Sequence, residues 1–340
     1  MNNLNQSNFA SKAWTASAIF LFSVAAFVLI LLTFNILLLI FAGSLITLYF
    51  YGLSSSIKKK SSLPFSLSLV ISIAGTVSLI AFLFWLIGST VHSQIIQLSE
   101  ILPEGIEDFR EAVMRTDLGQ WLLEMVETQE ARDALGAWAG RIFQSTFGFF
   151  GDIFAIIIIG FFFTLSPFLY TRGLITLIPL RGRGKAEKVL GNLGKDLQSW
   201  IKGQLIAMFA VFLLSAAGLG IIGAPAWLTL ALLAGILNFI PNFGPFITAV
   251  IGGLIGLTES LSIALLIVGL LVTVQIIEST IITPSVQKRL IRVPPALIFI
   301  PQLVMGVLVG GWGIVFALPL TVVVMVLVRE LYVKRQDQSA

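Results

Sequence analysis

Long apolar runs separated by short polar intervals dominate this chain. Six of them, Trp14–Thr33, Ile36–Leu53, Leu63–Thr90, Phe147–Tyr170, Ile201–Ile222 and Leu261–Thr283, approach or exceed the ~20 residues a helix needs to cross a hydrocarbon core. They predict about six full transmembrane helices, the first two forming a hairpin that turns near Asn35. Two further apolar segments are broken. Trp227–Leu257 is interrupted by Asn238-Phe239-Ile240-Pro241-Asn242-Phe243-Gly244-Pro245, and Ala296–Val328 by Gly310-Gly311-Trp312-Gly313. Each half holds about 12–16 residues, short of a crossing. A break inside lipid strands backbone polar groups unless protein or a watery cavity supplies partners. Both segments are read as re-entrant helical hairpins, the arrangement that marks a transporter's binding site.

The pattern changes over 91–145, where ten acidic residues face four basic ones. Ile95, Leu98, Leu102, Ile106, Phe109 and Val113 recur every three or four positions, the stripe of an amphipathic helix. A small extracytoplasmic helical cap is expected, with a vestibule or subunit contact as the functional alternative. A weak internal repeat relates Pro225-Ala226 to Pro295-Ala296, 70 residues apart, and lays the first break over the second. Its copies would cross the membrane in opposite directions.

Composition narrows the class. Hydrophobic residues make up 57% of the 340 positions and charged residues 11%, against roughly 25% charged in soluble domains. The runs are continuous, unlike the ~10-residue alternation of barrel strands. The expected fold is therefore an all-α polytopic membrane protein. Cysteine is absent, which excludes disulfides, thiolate metal sites and thiol catalysis.

The net charge of +4 conceals an asymmetry. Of 21 basic residues, all but Arg110, Arg115, Arg132 and Arg141 lie in the N-terminus, in the intervals 54–62, 171–202 and 284–295, or at the C-terminus. The positive-inside rule puts those regions, both termini included, in the cytoplasm. Anionic lipid headgroups account for the basic loops without nucleic acid. Arg181-Gly182-Arg183-Gly184-Lys185 lacks the ending of a phosphate loop and is read as part of a solvated loop. The chain thus divides into an N-terminal hairpin and basic loop (1–62), spans three and four around the extracytoplasmic segment (63–170), a basic cytoplasmic loop (171–200), a core with broken hairpins 227–257 and 296–328 (201–330), and a tail (331–340).

Glu278 is the one carboxylate deep within an apolar span. Such residues usually face a cavity or a partner. Gln275, three residues earlier, shares its helix face. Glu278 is either a proton carrier or half of a structural pair, with Lys202 or Gln275 as the partner. In the first break, Pro241 and Pro245 each remove a backbone donor, Gly244 opens conformations closed to other residues, and Asn238 and Asn242 offer amides to the freed backbone or to a polar solute. Gly310, Gly311 and Gly313 permit a tight turn in the second. His92 is the only histidine, so no metal site is expected, no cofactor, and no enzymatic constellation.

Taken in order, these pieces resemble the AI-2E transporter family, the autoinducer-2 exporter-like permeases of bacteria. Ile201-Lys202-Gly203-Gln204 is similar to the family's aromatic-x-Arg-Gly-Gln start of the fifth span, with Lys in place of Arg. Asn238 to Pro245 resembles its Asn-x-Ile-Pro-x-x-Gly-Pro signature. Gln275-Ile276-Ile277-Glu278 with Pro284 resembles its Gln-x-x-Glu and later Pro, and Gly310 to Pro319 its closing glycine element. Val293-Pro294-Pro295 departs from the usual Leu-His-Pro. The resemblance implies a multi-pass protein of the bacterial plasma membrane that self-associates. It implies export of a small polar solute, autoinducer-2 being one candidate and the proton a candidate coupling ion. A sodium- or lithium-for-proton antiporter is the alternative, and a non-transporting scaffold the alternative of another class. The expected pathway residues are Glu278, Gln275, Asn238, Asn242, Lys202 and Gln204, beside tips formed by Pro241, Gly244, Pro245, Gly310, Gly311 and Gly313.

Overall fold

The computed structural model describes residues 2–83, 150–286 and 296–333, with isolated positions 85, 88, 93 and 148. The predicted cap at 91–145 lies almost wholly outside the described residues, as do His92, Val293-Pro294-Pro295 and the end of the tail. Among the described residues the fold is all helix, with no strand.

Helix α1 runs unbroken over Asn2–Ser61. The turn expected near Asn35 is not there. Neither proline nor glycine lies between Trp14 and Ala42, and one asparagine costs a helix only up to ~0.7 kcal/mol. Thr33–Ser61 within α1 is long and apolar enough to cross a membrane. Lys58, Lys59 and Lys60 close α1, where cations favour the helix dipole, and Pro64 bars its continuation.

Helix α2, Phe65–Leu83, pairs with α1 through hydroxyls, Ser54 to Ser72 at 2.9 Å and Tyr49 to Thr76 at 3.1 Å. Helix α3, Phe150–Leu165, meets α4, Pro167–Thr176, at an 87° bend. Pro167 forces the bend, because the residue before a proline leaves the helical region; Ser166 has φ −138° and ψ 56°. α1 and α3 approach closely at small residues. A Cβ on Gly43 would lie 2.6 Å from the Ile159 side chain, and Thr47 and Thr164 both donate to the Gly160 carbonyl.

Helix α5 spans Leu180–Ile222. The basic interval 171–200 is therefore not a loop. It holds the end of α4 and the first half of α5, and Val189, Leu193, Leu197 and Trp200 supply the helical stripe that packs inward. Gly223 ends α5 with φ 71°, its N–H bonding back to Gly220, as left-handed glycine caps do. The first broken segment is α6, Trp227–Leu237, and α7, Phe243–Leu257. Helix α8, Leu261–Ile277, is capped by Ser260 and continues through a π-helical turn, Glu278–Ile282, to Val286. α7 and α8 pack through glycine: a Cβ on Gly256 would lie 2.5 Å from Ala264 Cα.

The second broken segment is α9, Ala296–Val309, and α10, Gly311–Val328, the latter extended by a π-helical turn to Val333. Gly311–Val333 is long and apolar enough to cross a membrane, so the returning arm is not the half-length piece expected. Its first turn reaches α3, where Trp312 Nε1 donates to Asp152 Oδ2 at 2.6 Å. Its end reaches α5, where Arg329 pairs with Asp196 at 2.8 Å.

Among the described residues, five helices are long and apolar enough to span, or six if the bent α3–α4 pair is one crossing. The buried residues form two apolar clusters. Residues of α1, α3, α5 and α10 form one, including Leu38, Trp200 and Phe316. Val211 and Leu219 of α5 join α6, α7 and α8 in the other, with Leu230, Ile255 and Ile267. α5 is the spine shared by both.

Candidate functional site

The first break lies against α5 and α9, and the reason is hydrogen-bond accounting. A helix carbonyl needs the N–H four residues later. Pro245 has none, so the carbonyl of Pro241 gets no helical partner and keeps only the close turn bond from Phe243 N at 2.8 Å. α6 stops at Leu237, and Asn242, the residue before α7, has φ 67° and ψ −52°, outside the helical region, so the carbonyl of Asn238 is left without a helical partner. Two glutamines reach in from neighbouring helices. Gln204 of α5 donates from Nε2 to Asn238 O at 2.7 Å. Gln302 of α9 donates from Nε2 to Pro241 O at 2.9 Å and accepts from Asn242 Nδ2 at 3.3 Å. Gln302 is 0% exposed. Phe243 stacks on Phe299 of α9, and Phe239 meets Trp200 of α5 edge-on.

Gly244 is required by close approach. A Cβ there would fall 1.8 Å from the carbonyl oxygen of Leu237, so no other residue fits this turn. Asn238 is 3% exposed, and its Nδ2 has no hydrogen-bond partner among the described residues. A buried unpaired donor costs about 1–3 kcal/mol and is a standing invitation to a carbonyl or hydroxyl.

Glu278 heads the π-helical turn and is 8% exposed. Its carboxylate accepts from Gln275 Nε2 at 3.1 Å and from Thr283 Oγ1 at 2.5 Å. Of the two structural partners expected, Gln275 is present and Lys202 is not. Lys202 is exposed and borders a groove between α1 and α5, with Tyr49, Ser56 and Gln198. Among the described residues, Glu278 has no ion pair.

The structure therefore gathers Gln204, Asn238, Pro241, Asn242, Gly244 and Pro245 into one place, with Gln302 added. It sets Glu278 and Gln275 on a separate helix and leaves Lys202 outside. The second tip does not meet the first. Gly310 lies eight residues beyond Gln302, about 12 Å along α9, and Gly313 serves its own hairpin: a Cβ there would lie 2.1 Å from Met305 O. Gln302 escaped the sequence reading although it carries the same signal as Glu278, being the sole amide in the apolar run Ala296–Val309. No group of acidic or histidine side chains suited to a metal ion occurs among the described residues.

The profile of the AI-2E family transporters matches residues 18–332, and the chain belongs to that family. It is a multi-pass membrane protein of a family of transporters. Among its relatives, "Putative transport protein YrrI" of Bacillus subtilis (strain 168) is 32% identical over 44% of this chain and 43% of its own length. "Putative transport protein YueF" of the same organism is 24% identical over 78% of this chain and 76% of its own. "Putative transport protein MT0215" of Mycobacterium tuberculosis (strain CDC 1551 / Oshkosh) is 32% identical over 34% and 33%. The match thus covers less than half the length of the first and third.

Proposed function

We propose that the protein is a secondary exporter of a small polar solute, with autoinducer-2 as the candidate, and that the solute binds at the first break between α5 and α9. The observation that carries this reading is the buried, unpaired amide of Asn238, set beside backbone carbonyls already occupied by Gln204 and Gln302. A solute oxygen would complete that amide. In this reading α6 and α7 form a re-entrant hairpin. Their 11 and 15 residues are shorter than a full crossing. Glu278 carries the coupling proton from α8. The protein sits in the bacterial plasma membrane and works as a homo-oligomer.

The test is solute flux in proteoliposomes with Asn238→Ala. The expected result is weaker solute affinity, read as a higher half-saturating concentration, with the fold retained. An unchanged half-saturating concentration would remove the first break from the binding site.

A second reading has its own support. Glu278 is buried with only neutral partners, which suits a carboxylate that alternates between a proton and a sodium or lithium ion. Sodium-driven proton flux without solute movement would select this antiporter. Neither flux in folded protein would select the scaffold.

A further inference from the structure

Beneath the first break lies a second polar feature. Val211 and Ser215 of α5, Ala234 of α6, Pro245 and Thr248 of α7, and Leu271, Val274 and Gln275 of α8 line a cavity of ≈ 10 Å³. That is about the space one water molecule requires. Three of its walls are polar. The Ser215 hydroxyl is 0% exposed and has no hydrogen-bond partner among the described residues. Serine inside a helix commonly donates to the carbonyl four residues back, and Ser215 does not. Thr248 has already donated its proton to Gly244 O at 2.9 Å, so its oxygen remains an acceptor. Gln275 has committed Nε2 to Glu278.

We infer that this cavity is a binding site for a single water molecule, held by Ser215, Thr248 and Gln275. An apolar cavity of such size stays dry, whereas one with two to four polar partners holds an ordered water. A water there donates to Thr248 and exchanges a hydrogen bond with Ser215, which gives a partner to the one buried hydroxyl that lacks one among the described residues. It also closes a chain of polar contacts. The chain runs from the Gly244 carbonyl at the first break through Thr248, the water and Gln275 to Glu278 and Thr283. The charge of Glu278 and the shape of the break are then joined through the water. The inference stands whether or not the export reading does, because its tests read stability and density rather than flux.

The experiment is thermal unfolding of the purified full chain in nanodiscs, comparing Ser215→Ala, Thr248→Val and the double variant in sodium chloride and in choline chloride. A shared water predicts a lower midpoint in each single variant and a double variant no worse than the larger single loss. It predicts no dependence on sodium. An equal or higher midpoint in Ser215→Ala would overturn the inference, since deleting an orphan hydroxyl from a dry void is neutral or stabilising. A midpoint raised by sodium in the wild type but not in Ser215→Ala would make the occupant a cation and overturn it as well. Should the variants fail to fold, a wild-type density map decides. A peak within hydrogen-bond distance of Ser215 Oγ supports the water, and an empty cavity overturns it.

Discussion

Gln302 is the residue whose replacement should be most informative about how the break is held. Its side chain makes two hydrogen bonds across helices, to Pro241 O and from Asn242 Nδ2, and it is wholly buried. Inter-helix hydrogen bonds in membrane proteins average about 0.6 kcal/mol each. Gln302→Met keeps most of the volume and loses both bonds, so it should cost about 1 kcal/mol. The loss stays small because Pro241 O also accepts from Phe243 N at 2.8 Å, and Asn242 is exposed enough to find another partner. Gln302→Ala loses the same bonds and opens a void. Truncating a buried side chain of this size costs about 2–5 kcal/mol, so packing should dominate. Equilibrium unfolding in mild detergent, followed by tryptophan fluorescence, measures both. The order wild type, Met, Ala is expected, with the second step larger. A methionine variant as stable as the wild type would refute the claim that hydrogen bonding at Gln302 holds the break. Equal losses in the two variants would refute the packing argument.

Other substitutions probe other contacts. Gly244→Ala drives a Cβ into the Leu237 carbonyl and should abolish folded protein, measured as the monodisperse fraction on size exclusion; a normal yield would contradict the geometry. Gly313→Ala meets Met305 O in the same way and should lower folded yield. Trp312→Phe keeps an aromatic ring of smaller size and loses the bond to Asp152, and should cost at least about 1–2 kcal/mol; an unchanged midpoint would show that this contact contributes nothing. Glu278→Gln should abolish gradient-coupled flux with the fold retained, because glutamine is close in shape but carries no exchangeable charge; wild-type flux would remove Glu278 from the mechanism.

The fold class was legible because its signal is additive over many residues. Long apolar runs and the two interruptions need no tertiary knowledge, and both interruptions are helix breaks in the structure. Single boundaries were less legible. Asn35 looked like a turn between two runs, yet it lacks the proline or glycine that would enforce one. The basic interval 171–200 looked like a loop because charge masked the stripe Val189, Leu193, Leu197 and Trp200. At the site, the residues inside one short stretch, Asn238 to Pro245, could be grouped from sequence alone. Partners contributed by distant helices could not. Gln302 lies 61 positions from Pro241 in the chain, and which helix faces the break is decided by packing. The expectation that Lys202 joins Glu278 rested on shared depth in the membrane. Depth does not fix the direction a side chain takes around the helix.

Under the proposed function, solute moves through the first break and an ion gradient powers it. The most direct test is release of autoinducer-2 from loaded proteoliposomes holding the wild-type protein or Glu278→Gln, with imposed proton or sodium gradients. Gradient-dependent release is expected from the wild type, and none above protein-free vesicles from Glu278→Gln. Release that is independent of any gradient and equal in both proteins would contradict the proposed function.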